Sequence, residues 1–122
     1  MREPPAEGPA DQVALALTTE ASAPQAESLA RQLLERKLAA CVALQPQQAL
    51  YRWEGELQHS CEVQLLIKTT PERLPALREA VHELHSYDTP EWLSWLASSS
   101  LAYGSWIRSL PDPDAPGPGL AD

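Results

Sequence analysis

Three side chains in this sequence carry the chemistry of a metal centre: the Cys41 thiol, the His85 imidazole and the Glu91 carboxylate. Together they suit a borderline or soft divalent ion such as Zn2+ or Cu2+, and copper wins by intrinsic affinity. His82 lies three residues before His85, a spacing at which two side chains share a helix face and can chelate jointly. Each donor also has a plainer role. Cys41 suits a small apolar strand position, His85 a hydrogen-bonding position at a helix end, and Glu91 an ion pair with Lys68 across a sheet. His82 and His59 suit solvated surface. No CxxC, HExxH or paired CxxC spacing makes these donors a specific motif.

A second set consists of Tyr51, Trp53, Lys68 and Tyr87, again with Glu91. Aromatic walls with one cation and one carboxylate suit a small ligand held in a cleft between subunits. The same aromatics would equally serve as anchors of a protein interface. Catalysis has little support, because the chain has no GxSxG elbow and no Gly-rich phosphate loop. Ser98-Ser99-Ser100 fits a loop and helix cap. Cys41 with His85 could form a thiolate pair, but a cysteine inside a strand is expected to be buried and inert. The expectation is a binding protein, not an enzyme.

Six elements must position these groups, followed by a last helix. Val13, Leu15 and Leu17 alternate with small residues over Asp11 to Thr19, which is strand periodicity. Ser22 and Pro24 signal a helix start, and Ala26, Leu29, Ala30, Leu33 and Leu34 form its apolar stripe up to Arg36 and Lys37. Ala39 to Trp53 reads as a long strand in which Pro46 demands a bulge or an edge position. Glu54-Gly55 forms the turn, and Glu56 to Thr69 is the returning strand. Thr70 and Pro71 then predict an N-cap and first helical residue, with Leu74, Leu77, Val81 and Leu84 as the buried stripe. Pro90 to Ala97 reads as the fourth strand, and Leu101 to Leu110 as a helix stopped by Pro111.

This β-α-β-β-α-β order predicts an α/β (α+β) ferredoxin-like sandwich with an added C-terminal helix. Two helices cover one face of a four-stranded sheet and leave the other bare, although several strands are apolar on both sides. Self-association is the expected remedy. Trp92 and Trp95 differ in parity, so one of them is expected against a neighbouring subunit, and Trp106 against the core. If Trp53 faces Glu56 across the turn, Cys41 falls opposite Lys68 and Cys61 opposite Gln48. The two thiols are then roughly 23 Å apart along the hairpin, too far for an intrachain disulfide.

The chain has 122 residues with 17 acidic and 9 basic side chains, a formal charge of −8, and an apolar fraction of 43%. That size is one domain. Such acidity argues against nucleic acid or an anionic membrane as a partner. No apolar stretch could span a bilayer and no secretory h-region is visible, so the expected location is cytoplasmic. Seven of the twelve prolines lie outside residues 12–110, and residues 1–11 and 111–122 carry net charges of −2 and −3. These two segments are expected to be disordered tails around one domain at 12–110.

Five strings in order carry a resemblance: Lys37-Leu38-Ala39-Ala40-Cys41-Val42, Tyr51-Arg52-Trp53-Glu54-Gly55-Glu56, Ile67-Lys68-Thr69-Thr70, His85-Ser86-Tyr87-Asp88-Thr89-Pro90-Glu91 and Tyr103-Gly104-Ser105-Trp106-Ile107. Over residues 12–110 the chain resembles the CutA family of divalent-cation tolerance proteins. The resemblance implies a trimer of ferredoxin-like subunits whose hairpin strands complete neighbours' sheets, similar in architecture to the PII signalling proteins. It also implies copper tolerance and divalent-metal binding, with a small metabolite in the intersubunit cleft or a protein-interaction scaffold as alternatives. Two positions depart from the family pattern, with Ala43 in place of Asn and Ser86 in place of Pro. The first removes a polar group near Cys41; the second is expected to loosen the loop that orients His85.

Overall fold

A computed structural model describes residues 12–111 of the chain. The tails expected at 1–11 and 112–122 lie outside the described residues. The elements are β1 (Gln12–Glu20), α1 (Ala23–Glu35), β2 (Cys41–Trp53), β3 (Glu56–Thr69), α2 (Leu74–Leu84), β4 (Leu93–Ser98) and α3 (Leu101–Arg108). The sheet order is β2-β3-β1-β4 with every neighbouring pair antiparallel, which is the ferredoxin-like arrangement.

Local chemistry explains the boundaries. Ser22 is extended and its hydroxyl accepts from the Gln25 N–H at 3.3 Å, with Pro24 in the first turn of α1. The helix ends with Lys37 in the left-handed region (φ 62), while Leu38 N–H donates to Leu33 and Lys37 N–H to Leu34, both at 3.0 Å. This pairing satisfies two terminal carbonyls and turns the chain into β2. Arg73 then ties three segments together, donating to the carbonyls of Lys37 at 3.2 Å and Leu110 at 2.9 Å and to the Thr70 hydroxyl at 3.3 Å. Thr70 therefore does not cap α2. A short 3-10 turn, Pro71–Arg73, precedes that helix instead.

The hairpin keeps one unbroken register, with Trp53 opposite Glu56, Cys61 opposite Gln48 and Cys41 opposite Lys68. Pro46 sits opposite Val63 without a bulge, because β2 is an edge strand and can accept a residue that lacks an N–H. The register holds the free thiols of Cys41 and Cys61 far apart along the hairpin.

Ala16, Val63, Leu65 and Ile67 form the helix-facing side of the sheet and pack with Leu29, Leu33, Leu77 and Val81 in one core. Leu34 does not join the α1 stripe and is 40% exposed; Leu38, beyond the helix, fills that side of the core. The opposite face carries Leu15, Leu17, Leu66, Leu93 and Trp95, and only α3 lies over one end of it, near Lys68. Trp95 is 42% exposed and Leu93 54%.

Two readings at the C-terminal end need correction. β4 begins at Leu93, not Pro90. Beyond the Leu17–Leu93 pair, the Thr19 carbonyl accepts from His85 Nε2 and Pro90 has no N–H to offer, so the ladder stops. Trp92 consequently precedes the strand and packs on the helix side, with its ring 6.2 Å from that of His82. Trp106 does not anchor α3. It is 53% exposed and stacked on Tyr103, whereas Ile107 is fully buried and fixes the helix.

Candidate functional site

β2 and β3 run well past β1, whose last partner on β3 is Val63 opposite Glu20. Residues 56–62 of β3 thus have no β1 strand beside them. The loop between α2 and β4 closes this space from the side, and a cleft of about 730 Å³ results. Its floor is the unhelical face of the outer hairpin: Tyr51 opposite Gln58, Ala49 opposite Ser60, and Glu62 opposite Gln47. Its walls are Tyr87, Thr89 and Glu91 from the loop and Thr19 from the end of β1. Trp53 and Cys61 complete the rim.

The cleft is electronegative. Glu62 and Glu91 line it, and among the described residues no lysine or arginine does. Gln47 Nε2 donates to Glu62 at 2.8 Å, and the Thr19 hydroxyl lies 3.5 Å from Glu91 Oε1. Burial raises the Tyr87 phenol above its ordinary range, and the charges of Glu20 and Glu62 push it further. The phenol is a neutral hydrogen-bond donor over the whole physiological range.

Behind Tyr87 lies a buried polar cluster. The side chain of His85 is fully buried; its Nε2–H donates to the Thr19 carbonyl at 2.6 Å and its Nδ1 accepts from the Tyr87 N–H at 3.0 Å. That pairing specifies the neutral tautomer and uses both ring nitrogens. The carboxylate of Glu20, 2% exposed, accepts from the Ser86 hydroxyl at 2.5 Å and the Ser86 N–H at 3.2 Å. Ser86 therefore fastens the loop that it was expected to loosen, because proline could supply neither hydrogen bond. The His85 and Tyr87 rings lie 5.0 Å apart, so this cluster positions a wall of the cleft.

Cys41, His85 and Glu91 do not meet within one chain. Cys41 sits opposite Lys68 at the far end of β2, while the ring nitrogens of His85 are both engaged. Among the described residues no group of three His, Cys, Asp or Glu side chains is placed to hold a metal ion. His82 Nδ1 lies 2.8 Å from the Arg78 carbonyl of its own helix and is exposed, whereas the His85 side chain is buried. Of the aromatic set, Tyr51, Trp53, Tyr87 and Glu91 converge in the cleft. Lys68 does not, and it makes no ion pair with Glu91. Its ammonium reaches the Tyr103 hydroxyl at 3.3 Å in a separate 330 Å³ pocket under α3. Thr19, Ser60, Cys61 and Glu62 were missed. For Ser60 and Glu62 the signal was available, since they share the parity of Gln58, which pairs with Tyr51, and so lie on the same face of the hairpin as Tyr51.

Comparison with known proteins follows the same outline. The profile of the CutA1 divalent ion tolerance protein family matches residues 14–110. The divalent-cation tolerance protein CutA of Thermus thermophilus is 39% identical over 94 residues, covering 75% of this chain and 91% of that protein. The solved CutA of Synechococcus elongatus superposes with a TM-score of 0.78 at 40% identity, over 81% of this chain and 89% of that one. A structure described as the periplasmic divalent cation tolerance protein CutA of Archaeoglobus fulgidus gives 0.76 at 32% identity, over 80% and 97%. This chain belongs to the CutA1 divalent ion tolerance protein family.

Proposed function

We propose that this protein acts in divalent-cation tolerance by binding the ion, without catalysis, as a cytoplasmic homotrimer. The observation that carries this reading is the cleft itself: the carboxylates of Glu62 and Glu91 line it with the hydroxyl-bearing Thr19, Ser60, Tyr87 and Thr89, and among the described residues no lysine or arginine does. A site of that sign concentrates cations. Copper is the ion favoured at a given set of donors by the general order of divalent affinities. Glu91 is the one member of the Cys41, His85 and Glu91 set that reaches this cleft. Glu62 is its partner there in this reading, and a neighbouring copy or water completes the coordination.

Trimer formation is supported by what one chain leaves uncovered. Leu93 and Trp95 are exposed on the unhelical face, and Leu50 and Leu57 are 70% and 73% exposed on the hairpin. Among the described residues, the outer edges of β2 and β4 and the inner edge of β3 at 56–62 have no partner strand. Such edges invite pairing with other copies, and a closed ring removes them. The PII-like alternative, a small metabolite in the cleft, is favoured by the three aromatic rings at Tyr51, Trp53 and Tyr87.

Calorimetric titration with Cu(II) tests the metal reading. Glu91→Gln is expected to weaken binding at least tenfold, while Cys41→Ser leaves it within about twofold. Unchanged affinity in Glu91→Gln would remove the cleft from the account.

A further inference from the structure

Among the described residues His85 and Glu20 are the one pair of ionisable side chains buried together, and cation binding in the cleft does not use them. Both are closed off within a single chain, so whatever covers the bare face of the sheet leaves them as they are. The His85 N–H donates to the Val81 carbonyl at 2.9 Å and closes α2, which fixes the backbone beneath the ring. The Nε2–H bond to the Thr19 carbonyl, at 2.6 Å, is one that the imidazole keeps whether neutral or charged.

Nδ1 is the atom for which two groups contend. The Tyr87 N–H donates to it at 3.0 Å, and that bond needs a free lone pair on the nitrogen. The Glu20 carboxylate also stands 3.7 Å from it, held there by the Ser86 hydroxyl and N–H. A proton on Nδ1 repels the first partner and attracts the second. The other titratable or charged groups nearby are few. On the loop, the Tyr87 ring lies 5.0 Å from the imidazole, Asp88 is exposed, and Glu91 lies across the cleft wall. On α2, His82 is turned to Trp92 and Glu83 pairs with Arg36. Glu62 is the acid of β3 on the cleft side; the first turn of α1 has no acid, and β4 has no titratable residue.

We propose that His85 is an acid-operated latch on the loop that carries Tyr87 and Glu91. In the neutral state Nδ1 holds the Tyr87 amide. When Nδ1 takes a proton from solvent, its new N–H turns to Glu20 and the Tyr87 N–H loses its acceptor. Residues 87–91 then come away from the end of β1, while Ser86 stays bonded to Glu20 as the hinge. The Thr19 hydroxyl, 3.5 Å from Glu91, is left as a weak tether on the far side of the loop. The latch needs no metal and stands apart from the cation-binding reading.

The test is NMR on metal-free, isotope-labelled full-length protein, titrated from about pH 8 to about pH 5, the span in which imidazole gains its proton. The Tyr87 amide signal is expected to move with the same midpoint at which His85 Nδ1 becomes protonated. Its hydrogen exchange, corrected for the intrinsic effect of pH, should accelerate at least about tenfold across that midpoint. His59 and His82 are exposed and should titrate without moving it. Glu20→Gln keeps the size of the side chain and an acceptor for Ser86, and circular dichroism checks its fold. It should weaken proton binding at His85 about tenfold and carry both midpoints to lower pH together. A Tyr87 amide that stays fixed while His85 titrates would overturn the latch. So would a His85 that stays neutral over the whole range, or midpoints unchanged in folded Glu20→Gln. Should that variant not fold, the wild-type titration decides alone.

Discussion

Leu65 and Leu66 are neighbours on β3, yet they belong to different halves of the molecule. Leu65 is fully buried beneath α1 and α2, in a core that one chain closes by itself. Leu66 is turned to the other side of the sheet, where it joins Leu17, Leu93 and Trp95 with no helix over them. The first half is stability; the second is where the cleft, the open strand edges and the exposed aromatics are found. The contrast teaches that the period-2 alternation of a strand can be apolar on both sides for two different reasons. One side is satisfied by the chain's own helices, and the other calls for copies or ligands.

The largest expected effect separates these halves directly. Leu65→Ala should cost about 2–5 kcal/mol in chemical denaturation, since it empties a closed core. Leu57→Ala, at 73% exposure, should leave the stability of the subunit within about 0.5 kcal/mol. Equal losses in both would erase the distinction.

Next in size is the fastening between the halves. Ser86→Pro removes both hydrogen bonds to the buried Glu20 carboxylate and should cost about 1–3 kcal/mol. His85 already has the extended backbone (φ −69, ψ 150) that a following proline requires, so the loss reflects hydrogen bonding. A variant as stable as wild type would show that Glu20 finds other donors.

Smaller still for the subunit, Trp95→Asp should weaken self-association at least tenfold while circular dichroism stays unchanged. Sedimentation across a dilution series reads this, and an unaltered association constant would place the contact elsewhere. The least effect concerns alkaline pH. The Tyr87 phenol is raised in the fold, so its contribution is in place below the ordinary phenol value of about 10 and is lost as pH rises beyond it. Absorbance titration should show a phase above that range, absent in Tyr87→Phe and shifted down in Glu62→Gln.

Much of the fold was legible because it depends on near neighbours in sequence. The Glu54-Gly55 turn set the register of the whole hairpin, so Cys41 opposite Lys68 and Cys61 opposite Gln48 followed from counting. The apolar stripes gave both long helices. Departures arose where distant groups compete for one partner. β4 lost its first residues because His85 occupies the Thr19 carbonyl, and Leu34 left the core because Leu38 reaches it after a left-handed turn at Lys37.

The site was legible in type and not in place. Tyr51, Trp53, Tyr87 and Glu91 stood out as residues with binding chemistry, and they converge. Lys68 was grouped with them on charge alone, although the register already put it beside Cys41 at the other end of the sheet. His85 looked like a ligand because imidazole binds metals. Its burial against Thr19, Tyr87 and Glu20 is a tertiary fact that spacing does not carry.

The most direct test is native mass spectrometry of the full-length protein, with and without one equivalent of Cu(II) per subunit, on wild type and Glu91→Gln. The account predicts an assembly at three times the 13.4 kDa chain mass that takes up a whole number of copper ions, with uptake lost in the variant. A monomer, or copper uptake that is the same in Glu91→Gln, would contradict it.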